Sequence, residues 1–129
     1  MLDSTEIIDT KGGISAGTSL PKPRYGHCML SLEDGRIIII GGQPVPHWSL
    51  RNAAPKDKII STKSTWFYDG NSFTSGPRTR KTRFYHACAT FKSALHQNRE
   101  VVLVAGGFKK DDFEILDYQT KGSEFVKSK

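Results

Sequence analysis

Two apolar, mostly β-branched runs organise the chain: Ile37-Ile38-Ile39-Ile40 after Arg36 and Val101-Val102-Leu103-Val104 after Glu100, closed by Gly41-Gly42 and by Ala105-Gly106-Gly107. Apolar residues at consecutive positions, instead of every second one, predict strands buried on both faces. Shorter segments ending in aspartate surround them: Ser4 to Asp9, Ser64 to Asp69 and Asp112 to Asp117. Each reads as a strand running into a turn. Asp34-Gly35 and Asp69-Gly70-Asn71 carry the turn chemistry that reverses a chain between antiparallel strands. The pattern predicts an all-β protein. A helix over Phe91 to Arg99 is the competing reading, and alignment of that segment with the tight hairpin at Glu33 to Arg36 decides against it.

The same landmarks recur in one order, which makes internal repetition the primary feature. A strand ending in Asp9, Asp69 or Asp117 is followed by a turn and an apolar residue, Ile14, Phe73 or Phe125. Gly17 to His27 is then matched by Gly76 to His86, each with seven residues from glycine to arginine and three from arginine to histidine. Aspartate recurs after 60 and then 48 residues, and histidine after 59. The longer spacings imply insertions, one between Gly42 and Ser64 and one around Ser93 to Arg99. Paired glycines at the strand ends suit positive φ or a close backbone approach.

The Gly-Gly, Arg-x-x-His and aromatic-Asp landmarks resemble kelch repeats, the units of a β-propeller, whose period is about 50 residues. Departures are visible: Ile14, Phe73 and Phe125 stand where the family often has tryptophan, and only Tyr68 retains the tyrosine before aspartate. The resemblance implies four-stranded antiparallel blades. The first strand would start near Arg24 or Arg83, the second would be the Ile or Val run, the third would end in Asp, and the fourth would carry Phe73 or its equivalents. Residues 1–129 then read as an incomplete kelch-type propeller: a half blade over about 1–18, a blade over about 24–76 with an inserted loop at 43–63, and a blade over about 83–126. Closed propellers usually need about four to eight blades. The expectation is therefore a piece of a longer chain, with blade faces exposed when it is isolated.

Composition narrows the class further. At 129 residues the chain fits one modest domain, and its mean hydropathy of −0.45 argues against a membrane protein. Nothing after Met1-Leu2 reads as a signal peptide, since Asp3 and Glu6 follow at once. Two cysteines, Cys28 and Cys88, suit a reducing compartment and read as inert buried thiols, so the expected location is cytoplasmic. A net charge of +6 gathers in Arg51 to Lys63, in Arg78 to Arg83 and at Lys127 and Lys129. It permits an acidic partner, nucleic acid included, without requiring one.

The candidate chemistry is that of binding. His27-Cys28 and His86-Cys88 invite a zinc reading, but adjacent strand residues point to opposite faces while His86 and Cys88 share one, so the pairs do not mirror each other. His27 and His86 are expected instead as hydrogen-bonded residues at blade junctions, and neither a catalytic group, a metal site nor a cofactor is expected. Arg24 and Arg83 carry two readings: structural guanidinium groups bonded within or between blades, or cations at the propeller mouth that grip an acidic peptide. The inserted loop sets His47, Trp48 and Arg51 together, residue types suited to anchoring a partner. The resemblance implies a non-catalytic protein-protein interaction module, a scaffold or adaptor, with ubiquitin-ligase substrate adaptor among the roles. The alternatives are a basic nucleic-acid-binding β domain, disfavoured because no signature of one appears, and a fragment of a galactose-oxidase-like enzyme, handicapped by missing ligands.

Overall fold

The structure, a computed structural model, describes residues 3–43 and 62–127. Those residues form three antiparallel sheets. The first is a hairpin of β1 (Glu6–Ile8) and β2 (Ile14–Ala16). The second has four strands, β3 (Cys28–Ser31), β4 (Ile37–Ile40), β5 (Thr65–Tyr68) and β6 (Phe73–Ser75), joined in chain order. β7 (Ala87–Ser93), β8 (Arg99–Ala105), β9 (Phe113–Leu116) and β10 (Phe125–Lys127) make the third in the same order. The protein is thus all-β, as its hydrophobic pattern predicts. The strands β3 and β7 begin four residues beyond Arg24 and Arg83, so the expectation that they start near the arginines is corrected by one short approach segment.

Consecutive apolar residues in β4 are explained by what lies on each side. Ile38 and Ile40 join Leu32 and Phe67 and pack against Val102, Val104, Leu116, Tyr118 and Phe125 of the third sheet. Ile37 and Ile39 face the other way, towards the β1–β2 hairpin, across a cavity. Burial of one face drives the two four-stranded sheets together, and the second face is only partly covered. The hairpin is held to β5–β6 by Thr18, whose hydroxyl donates to the Asn71 carbonyl at 2.8 Å. Ile8 and Ile14 on it stay exposed.

The region around Ser93 to Arg99 lengthens a hairpin. β7 runs to Ser93, a 3₁₀ turn spans Ala94–His96, and Gln97 and Asn98 take left-handed φ of 58° and 59° before β8 begins. The matching β3–β4 turn is clasped from the third sheet: Glu33 accepts from Lys92 at 2.7 Å and from Gln119 at 2.8 Å, and its own N–H donates to Glu100.

A second correction concerns the cysteines. Cys28 and Cys88 are half-buried and joined as a disulfide across β3 and β7, with their Cα atoms 6.2 Å apart, a span that a disulfide bridges without moving backbone. The expectation of two inert buried thiols fails because the pairing needs two strands 60 residues apart to lie side by side. Cysteine usage therefore no longer argues for a reducing compartment. No helix among the described residues is long and apolar enough to cross a membrane.

Candidate functional site

The ends of β4 and β8 carry the chemistry-bearing residues, and the glycine pairs explain why. Gly41 and Gly42 take φ of +68° and +97°, Gly106 and Gly107 of +68° and +108°. L-residues adopt this region at a cost, and the space excludes a side chain at three of the four. A Cβ on Gly41 would meet the Arg83 carbonyl at 2.6 Å, one on Gly42 the Tyr25 carbonyl at 2.8 Å, and one on Gly107 the Phe84 carbonyl at 2.9 Å. A Cβ on Gly106 would meet only an ordinary contact, the Lys110 carbonyl at 4.0 Å. The glycines let Arg24, Arg83 and the two histidines approach the strand ends directly.

Arg83 is enclosed. Its Nε donates to Glu114 at 2.9 Å, Nη1 donates to the carbonyls of Gly106 and Asp112, and Nη2 donates to the Asp112 carboxylate at 2.8 Å. The charge is neutralised on the spot. Lys81 also pairs with Asp112 at 2.6 Å, and this hydrogen bond, ahead of that from Arg83, holds the Asp112 carboxyl down to about 2. The Arg83 side chain has no exposed surface and is bonded throughout within its own sheet.

Arg24 occupies the same place in the neighbouring sheet with poorer partners. Its Nη1 donates to the Gly41 carbonyl at 3.0 Å and its Nη2 to the Ser64 hydroxyl at 3.4 Å. Its Nε is buried with no acceptor among the described residues. Burial lowers its pKa. Register gives the reason: Glu114 lies opposite Val104, two residues before Gly106, whereas the residue opposite Ile39, two before Gly41, is Trp66. Ser64 likewise stands where the third sheet has Asp112. This exchange was visible in the sequence as Ser64-Thr65-Trp66 against Asp112-Phe113-Glu114, but only the register shows that the first and third positions face the arginine.

The histidines do sit where sheets meet, though not as hydrogen-bonded pillars. Among the described residues, both ring nitrogens of His86 are buried without a hydrogen bond of ordinary geometry, as is Nδ1 of His27. Burial, then Arg83, drives His86 down to about 4, with the Ile40 backbone working the other way. Burial, then Arg24, lowers His27. The correction has a simple cause: His86 packs on Gly41, where a Cβ would lie 2.9 Å from its Cε1, so contact and not hydrogen bonding positions it. With both cysteines bonded to each other, the zinc reading loses its sulfur ligands.

The aspartates close turns. Asp9 Oδ1 accepts from the N–H groups of Lys11 and Gly13, and Asp69 Oδ1 from those of Asn71 and Ser72. Asp117 is instead drawn to Arg99, which donates to both of its oxygens.

Beside the glycine pairs lies an aromatic group that the motif reading missed. Tyr25 and Tyr85 meet edge to face with centroids 5.8 Å apart, and Phe84 stacks obliquely on both Tyr85 and Phe108. Tyr85 is 64% exposed and holds a left-handed φ of 53°, anchored by its N–H donating to the Gly26 carbonyl at 2.8 Å. Lys109, also left-handed, adds a cation 5.4 Å from the Phe108 ring. The connection 44–61 is flanked by Gln43 and Thr62, and the Thr62 N–H donates to the Gly42 carbonyl at this same end. His47, Trp48 and Arg51 lie outside the described residues. No family model and no curated protein matches the chain.

Proposed function

We propose that this chain is a non-catalytic protein-protein interaction module, two four-stranded blades and a half blade of a kelch-type β-propeller acting as a scaffold or adaptor. The observation that carries the reading is the aromatic group at the glycine-pair end, with Tyr85 and Phe108 exposed and half-buried Tyr25 set against Tyr85 from the neighbouring sheet. A bulky residue held at positive φ costs of order 1 kcal/mol or more, and such strain collects at binding positions. Exposed tyrosine and phenylalanine on a rigid frame are the residue types that dominate interface energy. Ion pairing of Lys81 and Arg83 with Asp112 removes part of the basic patch on which a nucleic-acid reading would depend.

The test is quantitative binding. Partners retained by the full chain would be identified, produced, and titrated against wild type, Tyr85→Ser/Phe108→Ser and Trp48→Ala/Arg51→Ala. Loss of about 2 kcal/mol or more in the first double variant, at unchanged stability, supports the aromatic end as the interface. Retained affinity in both double variants would remove this reading. A complex whose affinity falls steeply with salt across many sequences of nucleic acid would replace it.

A further inference from the structure

A cavity of about 370 Å³ separates the β1–β2 hairpin from the second sheet. Its walls are mainly apolar, with Ile7 and Leu20 from the hairpin segment and Ile37, Ile39 and Phe73 from the sheet, and Arg24 and His27 also line it. Only 6% of Arg24 is exposed, and among the described residues its guanidinium has one carbonyl and one distant hydroxyl as partners. A buried cation so poorly matched is destabilising unless an anion reaches it. The neighbouring sheet shows which anion fits: at the equivalent place Glu114 accepts from Arg83 Nε and Asp112 from its Nη2. Glu6, the carboxylate among the cavity residues, is exposed and forms no ion pair with Arg24 among the described residues.

We infer that the cavity between β1–β2 and β3–β4 is a binding site for a single carboxylate on an apolar group, with Arg24 as its charge partner. Trp66 in place of Glu114 removes the internal carboxylate that would otherwise close the site. The apolar walls favour hydrocarbon beyond the charged head, and Glu6 at the hairpin disfavours a second negative charge. Neutral His27, whose Nδ1 has no partner among the described residues, offers a further polar contact beside Arg24. The carboxylate could come from a free aliphatic acid or from an acidic residue within an apolar peptide segment, and the chemistry at Arg24 is the same for both. This site stands on its own observations and does not depend on the aromatic end.

The test uses the full chain labelled with nitrogen-15 and follows the Arg24 Nε–Hε resonance during titration with hexanoate, with hexanol as the uncharged control. A capped tripeptide with glutamate between two leucines is the second arm. A saturable downfield shift with hexanoate or with the tripeptide, absent with hexanol, supports the site, and the arm that responds identifies the source. Trp66→Glu rebuilds the arrangement around Arg83 and should weaken the active probe at least tenfold. Should that variant not fold, Ser64→Asp places the carboxylate at the Asp112 position and serves the same purpose. An Arg24 resonance unmoved by both carboxylates, or equally moved by hexanol, overturns the inference. So does undiminished binding in the folded carboxylate variant.

Discussion

Arg24 and Arg83 precede equivalent strands, reach equivalent glycine carbonyls and differ in what surrounds the rest of the guanidinium. Arg83 has two carboxylates from β9 and its flank; Arg24 has the Ser64 hydroxyl, and Trp66 holds the register position of Glu114. One frame therefore holds a closed ion-pair network in one sheet and an open, unsatisfied cation in the other. Sharing a backbone position does not confer a shared role: the cross-strand neighbour decides whether a buried arginine is structural or free to take a ligand.

The largest test of this comparison separates the sheets themselves. Cys28→Ser/Cys88→Ser removes a crosslink enclosing a loop of about 60 residues and should cost about 4 kcal/mol in denaturant unfolding, with the transition of the second sheet shifting more than that of the third. Coincident loss in both sheets would mean that the apolar interface, not the crosslink, holds them. Next in size is Glu114→Gln, which leaves Arg83 short of a carboxylate inside the protein and should cost about 3 kcal/mol. Arg24→Met should be neutral or stabilising by up to about 3 kcal/mol, because it removes a poorly partnered buried cation and strands no carboxylate among the described residues. Equal losses in the two variants would erase the distinction between the arginines.

Glycine substitutions sharpen the same comparison at smaller scale. Gly42→Ala should cost about 2 kcal/mol, since positive φ and a carbonyl 2.8 Å from the new Cβ act together. Gly106→Ala meets only an ordinary contact, the Lys110 carbonyl at 4.0 Å, and should cost about 1 kcal/mol from φ alone. A reversed order by chemical denaturation would contradict the packing described at these strand ends.

The contact of His86 with the glycine-pair end also sets a pH slope. A histidine held down to about 4 in the folded protein binds a proton in the unfolded chain from about pH 6.5 downward. The unfolded state then carries more protons, so stability falls as pH drops from about 6.5 towards 4, by at most about 1.4 kcal/mol per pH unit for one group, and levels off below. His86→Leu should flatten most of that slope, leaving the weaker share from His27 beside Arg24. An unchanged slope would show that His86 is not buried in neutral form.

The all-β class, the central places of β4 and β8 and the turns at Asp9 and Asp69 were legible in the sequence, because these follow from periodicity and local hydrogen bonding; the second faces of β4 and β8 are less fully buried than consecutive apolar residues predict. The repeated landmarks of the sequence also pointed to the glycine pairs and to both arginines. What only the tertiary structure decided were the relations between distant residues: the Cys28–Cys88 bond, the unpaired histidine nitrogens, the aromatic group built from two sheets, and the contrast between Glu114 and Trp66. Each depends on which side chain stands across a strand or a sheet interface. A one-residue change of register would turn those side chains to the opposite face while leaving the sequence pattern untouched.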